Sequence, residues 1–202
     1  MSDAGAIPRE WRIIRSEAAD GAWNMAVDEA ILEAVMAGEA PPTLRLYTWQ
    51  PWCLSLGYFQ RAGRSADRDE LARRGWTLVR RPTGGRGVLH ADELTYSIIA
   101  PASLLAEFEG SGVTQTYLAI SRGLAEGLRL AGVPCEIAPE RTHRETTASA
   151  RQASAACFDS PSSYELTAGG RKIVGSAQTR RGGALLQHGS IPLPWTSPRL
   201  QR

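Results

Sequence analysis

Strand-like segments outnumber helical ones in this chain of 202 residues, and this imbalance restricts the topology most. Runs rich in aromatic and β-branched residues occupy 43–49, 52–59, 76–99, 133–138, 163–167, 171–180 and 184–193. Only 21–37 and 112–132 have the apolar spacing of main amphipathic helices. Because crossover helices are too few for a wholly parallel sheet, we predict an α/β or α+β domain with a mixed, largely antiparallel central sheet flanked by helices.

The ends of several segments are marked by capping and turn residues. Asp20 is a suitable N-cap for the first helix, and Gly132 follows the second. A short polar helix is predicted at 65–75. The last three strand-like runs are separated by glycines, which predicts a meander. The intervening segment 140–156 is small, polar and without periodicity, so we expect a mobile loop there.

Composition restricts the classes of protein that this chain can belong to. Hydrophobic residues make up 43% and the net charge is +2, which favours one globular domain over residues 1–202 and argues against a nucleic-acid partner. No run of eighteen apolar residues and no apolar signal segment occurs, so we expect no membrane association. The three cysteines are too few and too widely spaced for a disulfide framework or a metal cluster. We therefore expect a cytoplasmic protein that binds no metal.

The segment RRPTGGRGVLH is the first candidate for chemistry. Its glycines allow a ligand to approach the backbone, and its arginines suit a phosphate or carbonyl group. The alternative is a glycine hairpin with surface arginines. A lone histidine is equally open to two interpretations, as a hydrogen-bonded structural residue or as a ligand contact. The candidate residues of this segment are Arg80, Arg81, Thr83, Gly84, Gly85 and His90.

A cysteine and a lysine form the second candidate site. Cys53 and Cys135 lie in apolar runs typical of buried thiols, whereas Cys157 lies between the polar segment and a strand. Lys172 is the only lysine in the chain, the other basic residues being arginines. A lysine can give up its proton and an arginine cannot, so Lys172 is a candidate for proton transfer. The alternative is a residual lysine on a surface strand.

Several separated motifs, in order, resemble the biotin/lipoate protein ligase superfamily, in particular its cysteine-dependent octanoyltransferases of the LipM type. They are DGAWNMAVDEAI, LYTWQPWCLSLGYFQ, RRPTGGRGVLHADELTYSI, CFDSPSSYELTAGGRKIVGSAQTR and LLQHGSI. The resemblance implies the catalytic-domain fold of that superfamily. It also implies catalytic roles for Cys157 and Lys172. The implied substrate-binding residues are those of the arginine-glycine segment above, together with Gly175, Ser176, Ala177, Gln178, His188 and Gly189.

The resemblance implies transfer of an octanoyl group from octanoyl-acyl carrier protein, through a cysteine thioester, to a lysine of a lipoyl-domain protein such as the glycine-cleavage H protein. Backbone amides at Gly84 and Gly85, or at Gly175 and Ser176, would stabilise the oxyanion. No cofactor is expected for this reaction. One alternative is an ATP-dependent lipoate ligase, which would use ATP and Mg²⁺. Another is a noncatalytic remnant that binds an acyl group or a partner, because family members usually continue into a further helical segment.

Overall fold

The computed structural model describes residues 10–139 and 164–193, and its largest unit is a five-stranded sheet. The strand order is β1-β2-β6-β11-β10. Only β1 and β2 run parallel, and the other neighbours are antiparallel. This confirms the predicted mixed, largely antiparallel sheet. The strands are β1 (Arg12–Arg15), β2 (Thr43–Tyr47), β6 (Glu93–Pro101), β10 (Gly175–Arg181) and β11 (Ala184–Pro192).

Two three-stranded sheets complete the β structure, where a single central sheet was expected. One has the order β4-β3-β5 and the other β7-β8-β9. The run 171–180, predicted as one strand, is divided between β9 and β10 of different sheets, so the predicted meander is wrong. The buried Val174 lies at the crossing point. These strands are β3 (Cys53–Leu56), β4 (Thr77–Arg80), β5 (Val88–His90), β7 (Glu136–Ile137), β8 (Leu166–Ala168) and β9 (Arg171–Lys172).

The two main helices cover opposite faces of the five-stranded sheet. Helix α1 (Gly21–Met36) begins as predicted, with the Asp20 carboxylate accepting a hydrogen bond from the Trp23 amide. Its Leu32 is fully buried against Ile99 and Leu186, and burial of such a side chain contributes about 1.5–3 kcal/mol. Helix α5 (Val113–Leu130) packs on the other face, where Tyr96, Ala100 and Leu185 join its core.

Three shorter helices complete the described fold: α2 (Ala62–Ser65), α3 (Arg68–Arg73) and α4 (Ala102–Glu109). The polar helix α3 was predicted, whereas α2 and α4 were not. Helix α4 begins directly after β6, and Pro101 at its N-cap makes no side-chain capping bond. Its start therefore lacks the sequence signal that marked α1. None of the helices in the described parts of the chain is long and apolar enough to span a bilayer.

Glycine pairs form two of the hairpin turns. Gly169 and Gly170 join β8 to β9 with φ of 54° and 74°, and Gly182 and Gly183 join β10 to β11 with φ of 53° and 80°. Two consecutive positive φ values are what a type I′ turn requires, and its twist matches that of the flanking strands. The first of these hairpins pairs Thr167 with Lys172, which fixes the position of the lone lysine.

Candidate functional site

A pocket that is partly open to solvent is lined by α1, the five-stranded sheet and the β4-β3-β5 sheet. Met25, Tyr47, Trp49 and Val88 provide an apolar wall. Polar side chains from β3, β5, β6, β10 and β11 line the remainder. An apolar wall facing a few polar groups suits an acyl chain with a polar head.

The structure brings most of the predicted binding residues to this pocket. Those that line it are Arg81, Gly85, His90, Gly175, Ser176, Ala177, His188 and Gly189. Arg80, Thr83, Gly84, Gln178 and Lys172 do not line it. Cys157 lies outside the described residues, as does the predicted loop 140–156. The two separated motifs, around Gly85 and around Ser176, thus meet at one pocket.

His90 is held on one side of the pocket by a buried carboxylate. Its Nδ1 lies 2.7 Å from Glu93 Oε1 and its Nε2 lies 2.8 Å from Ser55 Oγ. Its ring stacks on Trp49 with 3.9 Å between ring centroids. Burial would raise the pKa of Glu93, but the charge and hydrogen bond of His90, with hydrogen bonds from Ser190 and Thr95, hold that pKa below its usual value. Glu93 therefore stays ionised at neutral pH and fixes the histidine ring.

His188 has a similar arrangement on the other side of the pocket. Its Nε2 is 2.7 Å from Thr83 Oγ1, and its Nδ1 is 3.5 Å from Asp28 Oδ2. Burial lowers the pKa of His188 although the Asp28 carboxylate opposes the shift, so the ring is neutral at pH 7. With Nδ1–H facing the carboxylate, Nε2 accepts the proton of the Thr83 hydroxyl. Thr83 thus belongs to the site as a support for His188.

Asp28 is the centre of a fully buried polar network beneath His188. Arg45 NH1 donates to Asp28 Oδ1 at 2.8 Å, and both side chains are 0% exposed. Ser97 Oγ and Tyr47 Oη donate to the same carboxylate at 2.9 Å each. Arg45 also donates to Asn24 Oδ1 at 2.8 Å. Each of these donors has an acceptor, so the hydrogen bonds of the buried network are satisfied and the network is rigid.

Arg81 holds the glycine segment in shape. It is 5% exposed, and its NH2 donates to the carbonyl oxygens of Gly84 at 2.8 Å and Arg86 at 2.6 Å. Its NH1 donates to Ser55 Oγ at 3.1 Å. Arg80 lies at the surface, where its NH1 donates to the backbone oxygens of residues 57 and 58. Both guanidinium groups therefore bind backbone of the pocket rim.

Two glycines approach each other closely at this rim. A Cβ atom placed on Gly57 would lie 2.1 Å from the Gly85 carbonyl oxygen, which no side chain could tolerate. Gly85 itself has φ of 92°, in the region that favours glycine. The tight turn that the RRPTGGRG segment predicted therefore depends on Gly85 and on Gly57, a residue outside that motif.

Lys172 forms a buried ion pair with Glu165. The Nζ to Oε1 distance is 2.7 Å, and the side chains are 3% and 4% exposed. The interpretation of Lys172 as a residual surface lysine is therefore wrong. Glu165 is close enough to Tyr96 for its charge to contribute to the raised pKa of that phenol, and Tyr96 hydrogen-bonds to the pocket residue Ser176 at 2.7 Å. Lys172 is thus linked, through Glu165 and Tyr96, to a residue that lines the pocket.

The two described cysteines are buried, as their apolar runs predicted. Cys53 is 0% exposed and Cys135 is 6% exposed. Burial raises the pKa of Cys53, which disfavours its reactive thiolate. Both therefore have the environment of small hydrophobic residues. Among the residues at 10–139 and 164–193, no group of three or more histidines, cysteines and acids could hold a metal ion.

Several residues of the site were missed by the sequence analysis. Asp28, Trp49, Glu93 and Glu165 support the pocket or its lysine, and none was a candidate. Glu165 had a detectable signal in the hairpin register. The Gly-Gly turn pairs Thr167 with residue 172. Residue 165 therefore lies on the same face as the lysine, diagonally across the two strands. Asp28 had no such signal, because its partners come from distant parts of the chain, whereas Glu93 lies within three residues of its partners His90 and Thr95.

Comparisons with known proteins agree with this fold and pocket. Residues 20–195 match the family model described as the lipoyl protein ligase A/B catalytic domain. Octanoyltransferase LipM of Kyrpidia tusciae is 52% identical over 184 residues, which cover 91% of this chain and 66% of that protein. Octanoyltransferase LipM of Staphylococcus aureus is 49% identical over 181 residues, covering 90% and 65%.

Solved structures of lipoate-protein ligases share the architecture. Lipoate-protein ligase A, solved with bound ATP, aligns with a TM-score of 0.72 and 25% identity over 92% of this chain and 68% of that one. A putative lipoate protein ligase of T. acidophilum, solved with bound lipoic acid, aligns with a TM-score of 0.70 and 25% identity over 92% and 69%. The mixed α/β fold is therefore that of the lipoate ligases.

The chain belongs to the lipoyl protein ligase A/B catalytic-domain family. This confirms the superfamily indicated by the sequence motifs. The chain spans 65–66% of the length of the curated relatives described above.

Proposed function

We propose that this chain is an octanoyltransferase that works through a cysteine thioester. The donor is octanoyl-acyl carrier protein and the acceptor is a lysine of a lipoyl-domain protein, such as the glycine-cleavage H protein. Relatives about half identical to it bear the name octanoyltransferase. The observation that carries the proposal is the burial of the only lysine, 3% exposed, four residues before Ser176, which lines a pocket with an apolar wall.

The first half-reaction transfers the octanoyl group to the enzyme. Lys172 acts here in its neutral amine form: it accepts the proton of the Cys157 thiol, and the thiolate attacks the thioester carbonyl of the donor. The tetrahedral intermediate collapses, the carbon–sulfur bond to the pantetheine breaks, and the leaving thiolate takes the proton from Lys172. An octanoyl-Cys157 thioester and a free pantetheine thiol result.

The second half-reaction transfers the octanoyl group to the acceptor protein. The amine of the acceptor lysine attacks the octanoyl-Cys157 carbonyl and loses a proton to Lys172. The carbon–sulfur bond breaks, the Cys157 sulfur recovers the proton, and an amide forms. One thioester bond is exchanged for another and then for a more stable amide, so the proposed reaction requires no ATP, metal or other cofactor.

The pocket residues have separate tasks in this proposal. The wall of Met25, Tyr47 and Trp49 buries the octyl chain, with a gain of about 0.8 kcal/mol per CH₂ group removed from water. The ionised Glu93 and the neutral His188 shape the polar part of the pocket. Glu165 holds the Lys172 amino group in one position, which an exposed and flexible lysine would not keep.

The test is direct acylation of the 202-residue chain. Incubation with octanoyl-acyl carrier protein, without ATP, should add one octanoyl group, located at Cys157 by intact mass and peptide mapping. Cys157→Ser should abolish the thioester adduct. Cys135→Ser is the matched control, because Cys135 is buried, and it should keep the adduct.

A second variant tests the role of the lysine. Lys172→Arg keeps the positive charge beside Glu165 but cannot accept a proton, so the rate of acylation should fall at least about 100-fold. Full activity in Lys172→Arg would refute proton transfer by this residue.

An ATP-dependent lipoate ligase is the second candidate, because the fold matches lipoate-protein ligase A solved with bound ATP. Incubation of the chain with octanoate, ATP, Mg²⁺ and a lipoyl domain tests it. Modification of the lipoyl domain only when ATP is present, without any adduct on Cys157, would overturn the transferase proposal. Binding of octanoyl-acyl carrier protein with neither reaction would favour the noncatalytic alternative.

A further inference from the structure

A line of five hydrogen-bonded side chains runs from the protein surface to the pocket, on the α5 face of the main sheet. Arg180 Nε lies 3.4 Å from Gln178 Oε1, and Gln178 Nε2 lies 3.1 Å from Gln187 Oε1. Gln187 Nε2 lies 3.0 Å from Tyr96 Oη, and Tyr96 Oη lies 2.7 Å from Ser176 Oγ. Gln178 and Gln187 are directly opposite each other on β10 and β11.

The direction of this line is fixed at its arginine end. A guanidinium group only donates hydrogen bonds. Arg180 NH2 also donates to Thr116 Oγ1 at 2.7 Å, and the Thr116 hydroxyl lies 3.3 Å from the same Gln178 oxygen. The opposite orientation of the Gln178 amide would set its NH₂ against the guanidinium. The oxygen of Gln178 therefore faces Arg180, and its NH₂ group must donate to Gln187.

The donor and the acceptor of each remaining hydrogen bond follow by the same reasoning. The Gln187 oxygen accepts from Gln178, so its NH₂ group donates to the Tyr96 oxygen. Tyr96 is fully buried, and burial raises its pKa to about 12, so the phenol keeps its proton. With its oxygen already accepting from Gln187, Tyr96 donates its own proton to Ser176 Oγ.

Ser176 is left with a hydroxyl proton that points away from Tyr96. Within the described residues, Tyr96 is the only hydrogen-bond partner of the Ser176 hydroxyl. Ser176 lines the pocket, and its neighbour across the sheet is Gly189. A Cβ atom on Gly189 would lie 2.6 Å from Ser176 Oγ and 2.6 Å from the Tyr96 ring. The glycine therefore leaves the space that the serine hydroxyl and the tyrosine ring occupy.

Other hydroxyl groups that line the pocket are committed to protein acceptors. Ser190 Oγ donates to Glu93 Oε2, and Thr95 Oγ1 donates to Glu93 Oε1 at 2.6 Å. Ser55 Oγ is shared between His90 and Arg81. Among the described residues, Ser176 differs from these because no protein acceptor takes its proton, which leaves the proton for a ligand.

We propose that the Ser176 hydroxyl donates to the carbonyl oxygen of an acyl group in the pocket, and that Tyr96, Gln187, Gln178 and Arg180 orient and polarise that donor. Each donated bond strengthens the next, and the line begins at a permanent cation. A donor of this kind becomes stronger as the carbonyl oxygen gains charge. This inference rests on the proposed function only in assuming that the pocket holds an acyl thioester.

The test is the carbonyl stretching frequency of a bound thioester. Octanoyl-pantetheine carrying ¹³C at the carbonyl is bound to Cys157→Ala protein, which cannot be acylated there, and the isotope-edited infrared band is measured. A donated hydrogen bond lowers this frequency. We expect the band at its lowest frequency in this background, at its highest after the further change Ser176→Ala, and in between after Tyr96→Phe.

Matched controls separate polarisation from a change of shape. Tyr58→Phe removes an exposed phenol and should leave the band where it is. In a double-mutant cycle, Tyr96→Phe should shift the band only when Ser176 is present, because the phenol acts through the serine. An equal shift from Tyr96→Phe in the Ser176→Ala background would show a structural role alone and would overturn the inference.

The possible results separate this inference from the proposed function. A band that does not respond to Ser176→Ala overturns the inference, whether or not the chain forms octanoyl-Cys157. A band that responds as expected, in a chain that never forms octanoyl-Cys157, supports the oriented donor and contradicts the transferase proposal. In an active enzyme, Ser176→Ala should lower kcat about 100- to 1,000-fold.

Discussion

The two faces of the main sheet bury polar side chains in different ways. On the α1 face, Asp28 and Arg45 form a charged pair with 0% exposure, surrounded by groups that satisfy every bond. On the α5 face, the line from Arg180 to Ser176 is uncharged after its first residue and ends at the pocket. The closed network stabilises the fold and holds His188 and Tyr47 in place at the pocket. The open line can also act on a ligand.

Buried charges show the same contrast between the two faces. As residue types, arginine is permanently charged, whereas lysine can act in proton transfer. The buried arginine is paired on the side that supports His188, and the buried lysine is paired with Glu165. Three experiments measure this difference.

The largest effect is expected from Asp28→Asn. This change leaves the buried Arg45 guanidinium without its counter-charge, and the free energy of unfolding should fall by about 3–5 kcal/mol in denaturant titration. Glu29→Gln is the matched control, because Glu29 and Arg181 are also 2.8 Å apart but 45% and 46% exposed. The control should cost less than about 1 kcal/mol. Equal losses would show that burial does not set the strength of these pairs.

A smaller loss is expected from Glu165→Gln. The buried Lys172 loses its carboxylate partner, and because a buried lysine, unlike an arginine, can as a residue type shed its charge, we expect a decrease of about 1–3 kcal/mol in the free energy of unfolding. The comparison with Asp28→Asn, at the same pH and in the same denaturant, tests the contrast between lysine and arginine. A loss from Glu165→Gln as large as that from Asp28→Asn would contradict it.

The smallest effect concerns pH and the α1 face. The pKa of His188 is lowered by burial, so the unfolded chain takes up a proton near pH 6.5 that the folded chain does not. Stability should therefore decrease as pH falls below about 6.5, with a slope approaching 1.4 kcal/mol per pH unit. Denaturant titrations between pH 7.5 and 5 measure this slope. His188→Gln should reduce this slope. An unchanged slope in that variant would show that another group takes up the proton.

The sequence predicted the parts of the fold whose signals are local. Asp20 marks the start of α1, and the double glycines mark two hairpins, because capping and turn chemistry act within a few residues. The division of 171–180 between two sheets was not predictable from its continuous strand-like character. The change of sheet is associated with the packing of Val174 in the core, which the structure shows and the sequence does not.

The candidate site shows the same limit. The motif around Gly85 and the motif around Ser176 were identified separately, and the structure brings both to one pocket. The buried state of Lys172 could be inferred only through its partner Glu165, which the hairpin register supplies. The roles of Asp28 and Tyr96 depend on contacts between distant segments, which residue types alone do not specify. The nucleophilic role of Cys157 stays a prediction.

The change of sheet between β9 and β10 has a consequence for the spacing of the proposed reactive groups. Lys172 lies in one sheet and Ser176 in another, yet only three residues separate them. Four residue steps extend at most about 13–14 Å, so covalent geometry limits the distance between the two Cα atoms. The backbone therefore limits how far apart Lys172 and Ser176 can lie, even if one sheet rotates relative to the other.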